Sequence, residues 1–84
     1  TMNFKPLTKL NPGEKAYIVD LKNGKVGEYL LKAGIFPGDL IEIQYITPAK
    51  NYVVFKVNNE HIKMHMNAAE TVLTHFVQHQ FCLN

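Results

Sequence analysis

The sequence predicts a mainly β fold, in which about five short strands form a small, partly open barrel and one α-helix is inserted early in the chain. The first indication is the alternation of apolar and polar residues along several segments after position 39, which is typical of strands with one buried face. The second is that sustained helical spacing occurs only at about residues 24–33. The third is the short distance between turn signals rich in glycine, proline or asparagine.

The predicted helix carries an apolar stripe on one side. Val26, Leu30 and Ala33 stand at i, i+4 and i+7, so we expect them to be buried. Asn23 precedes the helix and is expected to cap it, because its side chain can accept from N–H groups of the first turn. Gly27 in the interior costs about 1 kcal/mol relative to alanine, so packing must hold the helix.

A stop and a tight turn are predicted to end this helix. Gly34 stands where a helix C-terminus favours a residue with positive φ, which glycine adopts without a Cβ clash. Pro37 and Gly38 suit the central positions of a type II turn, because proline fixes φ at about −65° and glycine supplies the positive φ that follows. A strand begins at Asp39. This corner is expected to set how the helix docks on the barrel.

Alternation and turn chemistry predict the other elements. Asn58 and Asn59 suit a two-residue hairpin, because asparagine tolerates the positive φ of a type I′ turn. Short helical turns are expected within 4–10 and near 67–70, and a last strand over 72–80. The residues expected on the inner faces of the first four strands are Ala16 and Ile18; Ile41, Ile43 and Tyr45; Val53, Phe55 and Val57; and Ile62, Met64 and Met66.

Length and composition narrow the possible partners. The chain is long enough for one domain, to which we assign residues 2–84, leaving Thr1 outside. The net charge is +2 and there is no arginine, so the bidentate recognition of guanine or phosphate is missing and we expect no nucleic-acid partner. No apolar run approaches the roughly 20 residues of a membrane-spanning helix, so no membrane insertion is expected. A single cysteine, Cys82, favours a reducing, cytoplasmic location.

The side chains that could carry chemistry are few. The chain has no serine and one cysteine, so it offers few candidate nucleophiles, and we expect no enzymatic activity. His61 and His65 share a strand face, but about 13 Å separates them in an extended chain. His65 and His75 could meet across strands and bind Fe(II) or Zn(II). The alternative is that both are exposed residues on the outer face of the barrel.

The sequence also has more apolar residues than so small a core needs. Leu31, Phe36, Leu73 and Val77 are the surplus. If exposed, they indicate a partner site or a contact between copies of the chain, that is, a homo-oligomer. The alternative is that they close the ends of the barrel.

The order of several motifs resembles the ferrous iron transport protein A (FeoA) family. The resemblance covers about residues 7–77. It is carried by Leu10-x-Pro12-Gly13-Glu14, Leu30-Leu31-Lys32-Ala33-Gly34-Ile35-x-Pro37-Gly38, Ile41-x-Ile43, Ile62-x-Met64-His65 and Ala69-x-x-Val72.

This resemblance implies an SH3-like β-barrel with an inserted helix, without enzymatic activity or a required cofactor. It implies a cytoplasmic bacterial protein that supports ferrous iron uptake and binds the cytosolic GTPase region of the membrane transporter FeoB. Together with the apolar surplus, it makes Tyr29, Leu31 and Phe36 the candidate contact residues. A similar SH3-like module ends the iron-dependent repressors, so the alternative is a metal-sensing or ligand-binding module that uses the histidines.

Overall fold

The computed structural model describes residues 4–21 and 24–76, which form six strands and two helices. The mainly β fold with one inserted helix is thereby confirmed. The helices are α1 (Lys25–Lys32) and α2 (Met66–Ala69), and a 3₁₀ turn spans Leu7–Lys9. The strands are β1 (Phe4–Pro6), β2 (Lys15–Leu21), β3 (Leu40–Ile46), β4 (Tyr52–Val57), β5 (Glu60–His65) and β6 (Val72–Phe76).

The strands form one open sheet in the order β1-β6-β2-β3-β4-β5, and all neighbouring strands are antiparallel. Within the described residues, β1 and β5 are therefore its edges. The strand that the sequence did not predict is β1, which pairs with Leu73–His75 of β6. It is only three residues long and contains Pro6, a residue that fits an edge strand but gives no strand signal.

Bulges in two strands bend the sheet. The register shifts in β2 where it pairs with β6, and in β3 between Ile43 and Tyr45 where it pairs with β4. One extra residue in a strand moves every later side chain to the opposite face. The prediction that Tyr45 shares the inner face of Ile41 and Ile43 is therefore wrong. Tyr45 is 53% exposed, and Ile46 packs against the core in its place.

The core lies between the inner faces of the strands, α1 and the segment that follows β1. One polar side chain of the described residues, Thr74, is fully buried, and its hydroxyl donates to the carbonyl of Lys5 at 2.8 Å. Its hydrogen-bonding requirement is therefore satisfied. The buried apolar cluster comprises Leu7, Leu10, Ala16, Ile18, Leu30, Ile35, Ile41, Ile43, Val53, Phe55, Val57, Ile62, Met64, Ala69 and Val72.

Helix α1 differs in detail from the predicted stripe. Gly27 and Leu30 are its buried residues, and Val26 packs partly against the core. The prediction that Ala33 is buried is wrong, because Ala33 already caps the C-terminus with φ −81° and ψ 1° and is exposed. Asn23, the predicted N-cap, lies outside the described residues, and Gly24 occupies the cap position.

The last predicted elements agree in kind and shift in bounds. Helix α2 begins at Met66, one residue earlier than expected. Strand β6 is described from Val72 to Phe76, and the rest of the predicted strand 72–80 lies outside the described residues. Neither helix of the described segments has the length and apolar character needed to cross a membrane.

Candidate functional site

The C-terminal end of α1 has a tightly bonded stop. Gly34 has φ +84°. Its N–H donates to the carbonyl of Leu31 at 3.0 Å, and the N–H of Ile35 donates to the carbonyl of Leu30 at 2.9 Å. This pair of bonds is a Schellman motif, which satisfies carbonyls that a helix end leaves free. Because Leu30 and Ile35 are both fully buried, apolar packing reinforces the stop.

A type II turn then leads into β3. Gly38 has φ +99°, and the N–H of Asp39 donates to the carbonyl of Phe36 at 3.0 Å across Pro37 and Gly38. The N–H of Gly38 also donates to the carbonyl of Ile18 at 2.7 Å. The turn is therefore fastened to β2 as well as closed on itself.

One carboxylate connects this corner to the β4–β5 hairpin. Asp39 Oδ2 accepts from the N–H of Phe36 at 2.8 Å and from Nδ2 of Asn58 at 3.3 Å. Asn58 Nδ2 also lies 3.5 Å from the carbonyl of Gly34. Asn58 is the first residue of the hairpin turn and has φ 52°. The residues from Gly34 to Asp39 are thus held from three directions, by α1, β2 and the hairpin.

The three candidate contact residues are all exposed near this corner, but they do not form one flat patch. Tyr29 is 53% exposed, Leu31 44% and Phe36 52%. Successive helical residues are about 100° apart, so Tyr29 and Leu31 border the buried Leu30 from its two sides. Leu31 and Phe36 belong to the corner, whereas Tyr29 faces a separate groove.

This groove, which we call the α1–β5 groove, lies between α1 and the edge strand β5 and has a volume of about 250 Å³. Helix α1 contributes Lys25, Val26 and Tyr29. Strand β5 contributes Lys63, Met64 and His65, and α2 contributes Ala68. The structure therefore brings together Tyr29 and His65, two candidate residues that are far apart in the sequence.

The floor of the groove is apolar and its rim is cationic. Met64 is 6% exposed, and Val26 and Ala68 are partly buried against the core. The charged residues that line the groove are Lys25 and Lys63. The groove thus suits an apolar side chain with a negative charge beside it.

His65 has a structural role at one end of the groove. It is the N-cap of α2, and its Nδ1 accepts from the N–H of Asn67 at 3.1 Å. Its ring meets the ring of Tyr52 edge to face, with centroids 5.2 Å apart. Because Nδ1 is already engaged as an acceptor, the free ring nitrogen of His65 is Nε2.

The structure does not bring His65 next to His75. His65 ends β5 and His75 lies in β6, and three strands stand between these two in the sheet. Over residues 4–21 and 24–76, no three His, Cys, Asp or Glu side chains gather where they could hold a metal ion. Cys82 lies outside these ranges.

A row of exposed and half-buried residues on the outer face of the sheet is a further surface. Ladder pairing places Phe4 opposite His75, His75 opposite Tyr17, and Tyr17 opposite Leu40. The rings of Phe4 and His75 meet edge to face at 5.7 Å. The homo-oligomer that we expected from the sequence stays a prediction, and this row, which contains no lysine or carboxylate, is the surface where it can be tested.

Sequence reasoning missed the groove and the row for the same reason. Each brings together elements that are distant in the chain. In the row, β6 lies between β1 and β2 in the sheet, although the strand that precedes it in the chain is β5. The available signals were local: Tyr29 lies beside the apolar stripe, and Lys63 shares a strand face with His65. Neither signal indicates that α1 approaches β5.

The fold and its exposed helix–strand corner define a small SH3-like β domain with an inserted helix. The sequence model of the FeoA domain family matches residues 5–74, which is most of the chain. The protein therefore belongs to the FeoA family.

Comparison with solved structures agrees with this assignment. The FeoA-like protein from Clostridium acetobutylicum superimposes with a TM-score of 0.84 at 14% identity, over 99% of this chain and 98% of that one. The iron(II) transport protein A from Clostridium thermocellum is 32% identical with a TM-score of 0.78, over 86% of this chain and 45% of that one.

The same fold also occurs as part of a longer protein. IdeR of T. acidophilum gives a TM-score of 0.77 at 20% identity, over 92% of this chain and 36% of that one. At such identity the likeness concerns the fold alone. A search of curated protein sequences finds no match.

Proposed function

We propose that this chain is a non-catalytic accessory protein of bacterial ferrous iron uptake, which acts in the cytoplasm by binding the cytosolic GTPase region of a FeoB-type transporter. The observation that carries the proposal is the match of the FeoA domain family over residues 5–74. The 32% identity to a protein named iron(II) transport protein A supports the connection to ferrous iron.

The corner supplies the contact surface in this proposal. Leu31 and Phe36 present apolar side chains that are about half exposed, whereas Tyr29 lies on the other side of α1 and belongs to the α1–β5 groove. Burial of such surface contributes about 25 cal/mol per Å². The hydrogen bonds of Gly34, Gly38 and Asp39 hold the corner in one conformation. Binding therefore loses little conformational entropy there.

The experiment is a binding assay between the purified chain and the cytosolic GTPase region of the cognate transporter. Leu31→Asp and Phe36→Asp are each expected to weaken binding at least about tenfold, because each places a charge in an apolar contact. Tyr45→Asp is the matched control, since Tyr45 is 53% exposed but lies on β3, outside the corner. Circular dichroism melting establishes that all three variants are folded.

Two negative results are possible, and one concerns the contact surface while the other concerns the function. If the wild-type chain binds and the two corner variants bind equally well, the assignment of the corner is wrong. If the wild-type chain does not bind the GTPase region at all, the proposed function is wrong.

A further inference from the structure

Within residues 4–21 and 24–76, strand β5 has a neighbouring strand on one side only, and it forms one wall of the α1–β5 groove. The turn between β4 and β5 has two residues, so Val57 and Glu60 form a hydrogen-bonded pair. Bonding alternates along an antiparallel pair, so every second residue of β5 presents its backbone groups away from β4. Because the C=O of the cap residue His65 already accepts the first bond of α2, the groups left are the N–H and C=O of His61 and Lys63 and the N–H of His65. β5 ends the sheet within the described residues, so these groups are available to an added strand.

The side chains along this edge alternate in chemistry. Lys63 and His65 lie on the outer face of the sheet, whereas Met64 between them faces inward and is 6% exposed. A strand paired with β5 places its own side chains on the same two faces in alternation. Its outward side chains would lie beside Lys63 and His65, and its inward side chains beside Met64 and Val26.

The positive charge of the groove favours negatively charged side chains at those outward positions. Lys25 and Lys63 approach it from opposite walls, and no Asp or Glu is among the described residues that line it. Lys63 is also held in place, because its Nζ lies 4.8 Å from the centre of the Tyr52 ring. An acidic side chain between the two walls therefore meets complementary charge from both.

We propose that the α1–β5 groove captures an extended segment of a partner protein, in which acidic and apolar residues alternate, as an additional strand on β5. The backbone of the segment pairs with the free groups of β5, its acidic side chains lie between Lys25 and Lys63, and its apolar side chains pack on Val26 and Met64. The volume of about 250 Å³ is below the roughly 300–1,000 Å³ of small-molecule pockets, so it suits side chains better than a whole ligand.

A peptide fits this groove better than a nucleic acid does. Phosphate binding would use the lysines but would leave the apolar floor and the backbone edge without partners. Of the described residues that line the groove, Tyr29 and His65 carry rings, and the His65 ring is already packed against Tyr52, so successive bases lack a row of stacking platforms. The groove is also separate from Leu31 and Phe36, so this inference does not depend on FeoB being the partner.

The test is a titration of the isotopically labelled chain by NMR with a blocked peptide of about eight residues in which glutamate and valine alternate. We expect amide shifts confined to Val26, Tyr29 and the segment 61–68. Lys63→Glu should weaken binding at least about tenfold, because it places like charges together. Lys56→Glu is the matched control, since Lys56 is exposed on β4 but does not line the groove.

Two further ligands distinguish the parts of the proposal. A peptide with lysine in place of glutamate should not bind, and methylation of alternate backbone nitrogens should abolish binding of the acidic peptide, because it removes the strand pairing. The proposal is overturned if the acidic peptide shifts no groove resonance at millimolar concentration, if Lys63→Glu binds it unchanged, or if the methylated peptide binds as well. Shifts in the groove with single-stranded oligothymidylate alone would indicate a nucleic-acid site instead. The FeoB binding assay tests Leu31 and Phe36, whereas the peptide titration tests the groove, so either proposal can fail without the other.

Discussion

The two ends of α1 are held in different ways. At its C-terminus, backbone bonds of Gly34, Ile35 and Gly38 fix every step from helix to strand, and the Asp39 carboxylate adds a link to the hairpin. At its N-terminus, Gly24 occupies the cap position and offers no side chain to bond the first turn. The first end displays its apolar side chains on a fixed backbone, whereas the second opens onto the α1–β5 groove.

This difference assigns a separate task to each end. A fixed backbone with half-exposed Leu31 and Phe36 suits docking of a preformed partner surface, because little has to be ordered on binding. A groove beside a free strand edge suits a segment that becomes ordered as it binds. Substitutions that loosen the fixed end should therefore cost stability, and those at the groove should cost less.

The largest effect is expected for Gly34→Val. A β-branched residue at φ +84° is strained, and we expect a loss of about 2 kcal/mol in the free energy of unfolding. Urea unfolding measures it. Ala33→Val is the matched control, because it ends in the same valine side chain one residue earlier, at φ −81° and an exposed site where valine is not strained. Equal midpoints for the two variants would mean that the positive φ does not matter.

Asp39→Ala should have the next largest effect. It removes the acceptor for the N–H of Phe36 and for Asn58 Nδ2, so we expect a loss of about 1 kcal/mol. Asp20→Ala, at an exposed position of β2, provides the comparison. Thermal melting of both variants at neutral pH measures the difference in stability. A melting temperature for Asp39→Ala no lower than that for Asp20→Ala would show that the link between corner and hairpin contributes nothing to stability.

The smallest effect is expected at the groove, for His65→Ala. The variant loses the cap of α2 and the edge contact with Tyr52, and we expect about 0.5 kcal/mol because α2 is only one turn long. His61→Ala, also exposed on β5, controls for the loss of an imidazole. Urea unfolding again provides the measurement. A loss larger than that of Gly34→Val would reverse the order of the two regions.

Local chemistry made the fold and the corner predictable. Glycine at a helix end, Pro37-Gly38 and Asn58-Asn59 each require a particular backbone conformation, and the chain adopts it at each place. Alternation identified the inner faces of β2 to β5 up to the bulges. The alternation failed at Tyr45, because one extra residue in β3 shifts the alternation of inner and outer faces by one position, and no residue type in the sequence signals that bulge.

The groove was not predictable in the same way. Its walls come from α1 and β5, which are separated in the chain by two strands and joined only by the closure of the fold. Whether His65 and His75 meet was left open by the sequence for the same reason, because the strand order depends on long-range pairing. Sequence patterns indicate which face a residue occupies, but not which distant face it meets.

The most direct test of the proposed division of tasks is an NMR map of the labelled chain with the unlabelled cytosolic GTPase region of the cognate FeoB-type transporter. We expect the largest amide shifts to fall between Leu31 and Asp39, and to persist in Lys63→Glu. A map in which saturating GTPase region leaves residues 31–39 unshifted, or shifts only the groove residues of β5, would contradict this expectation.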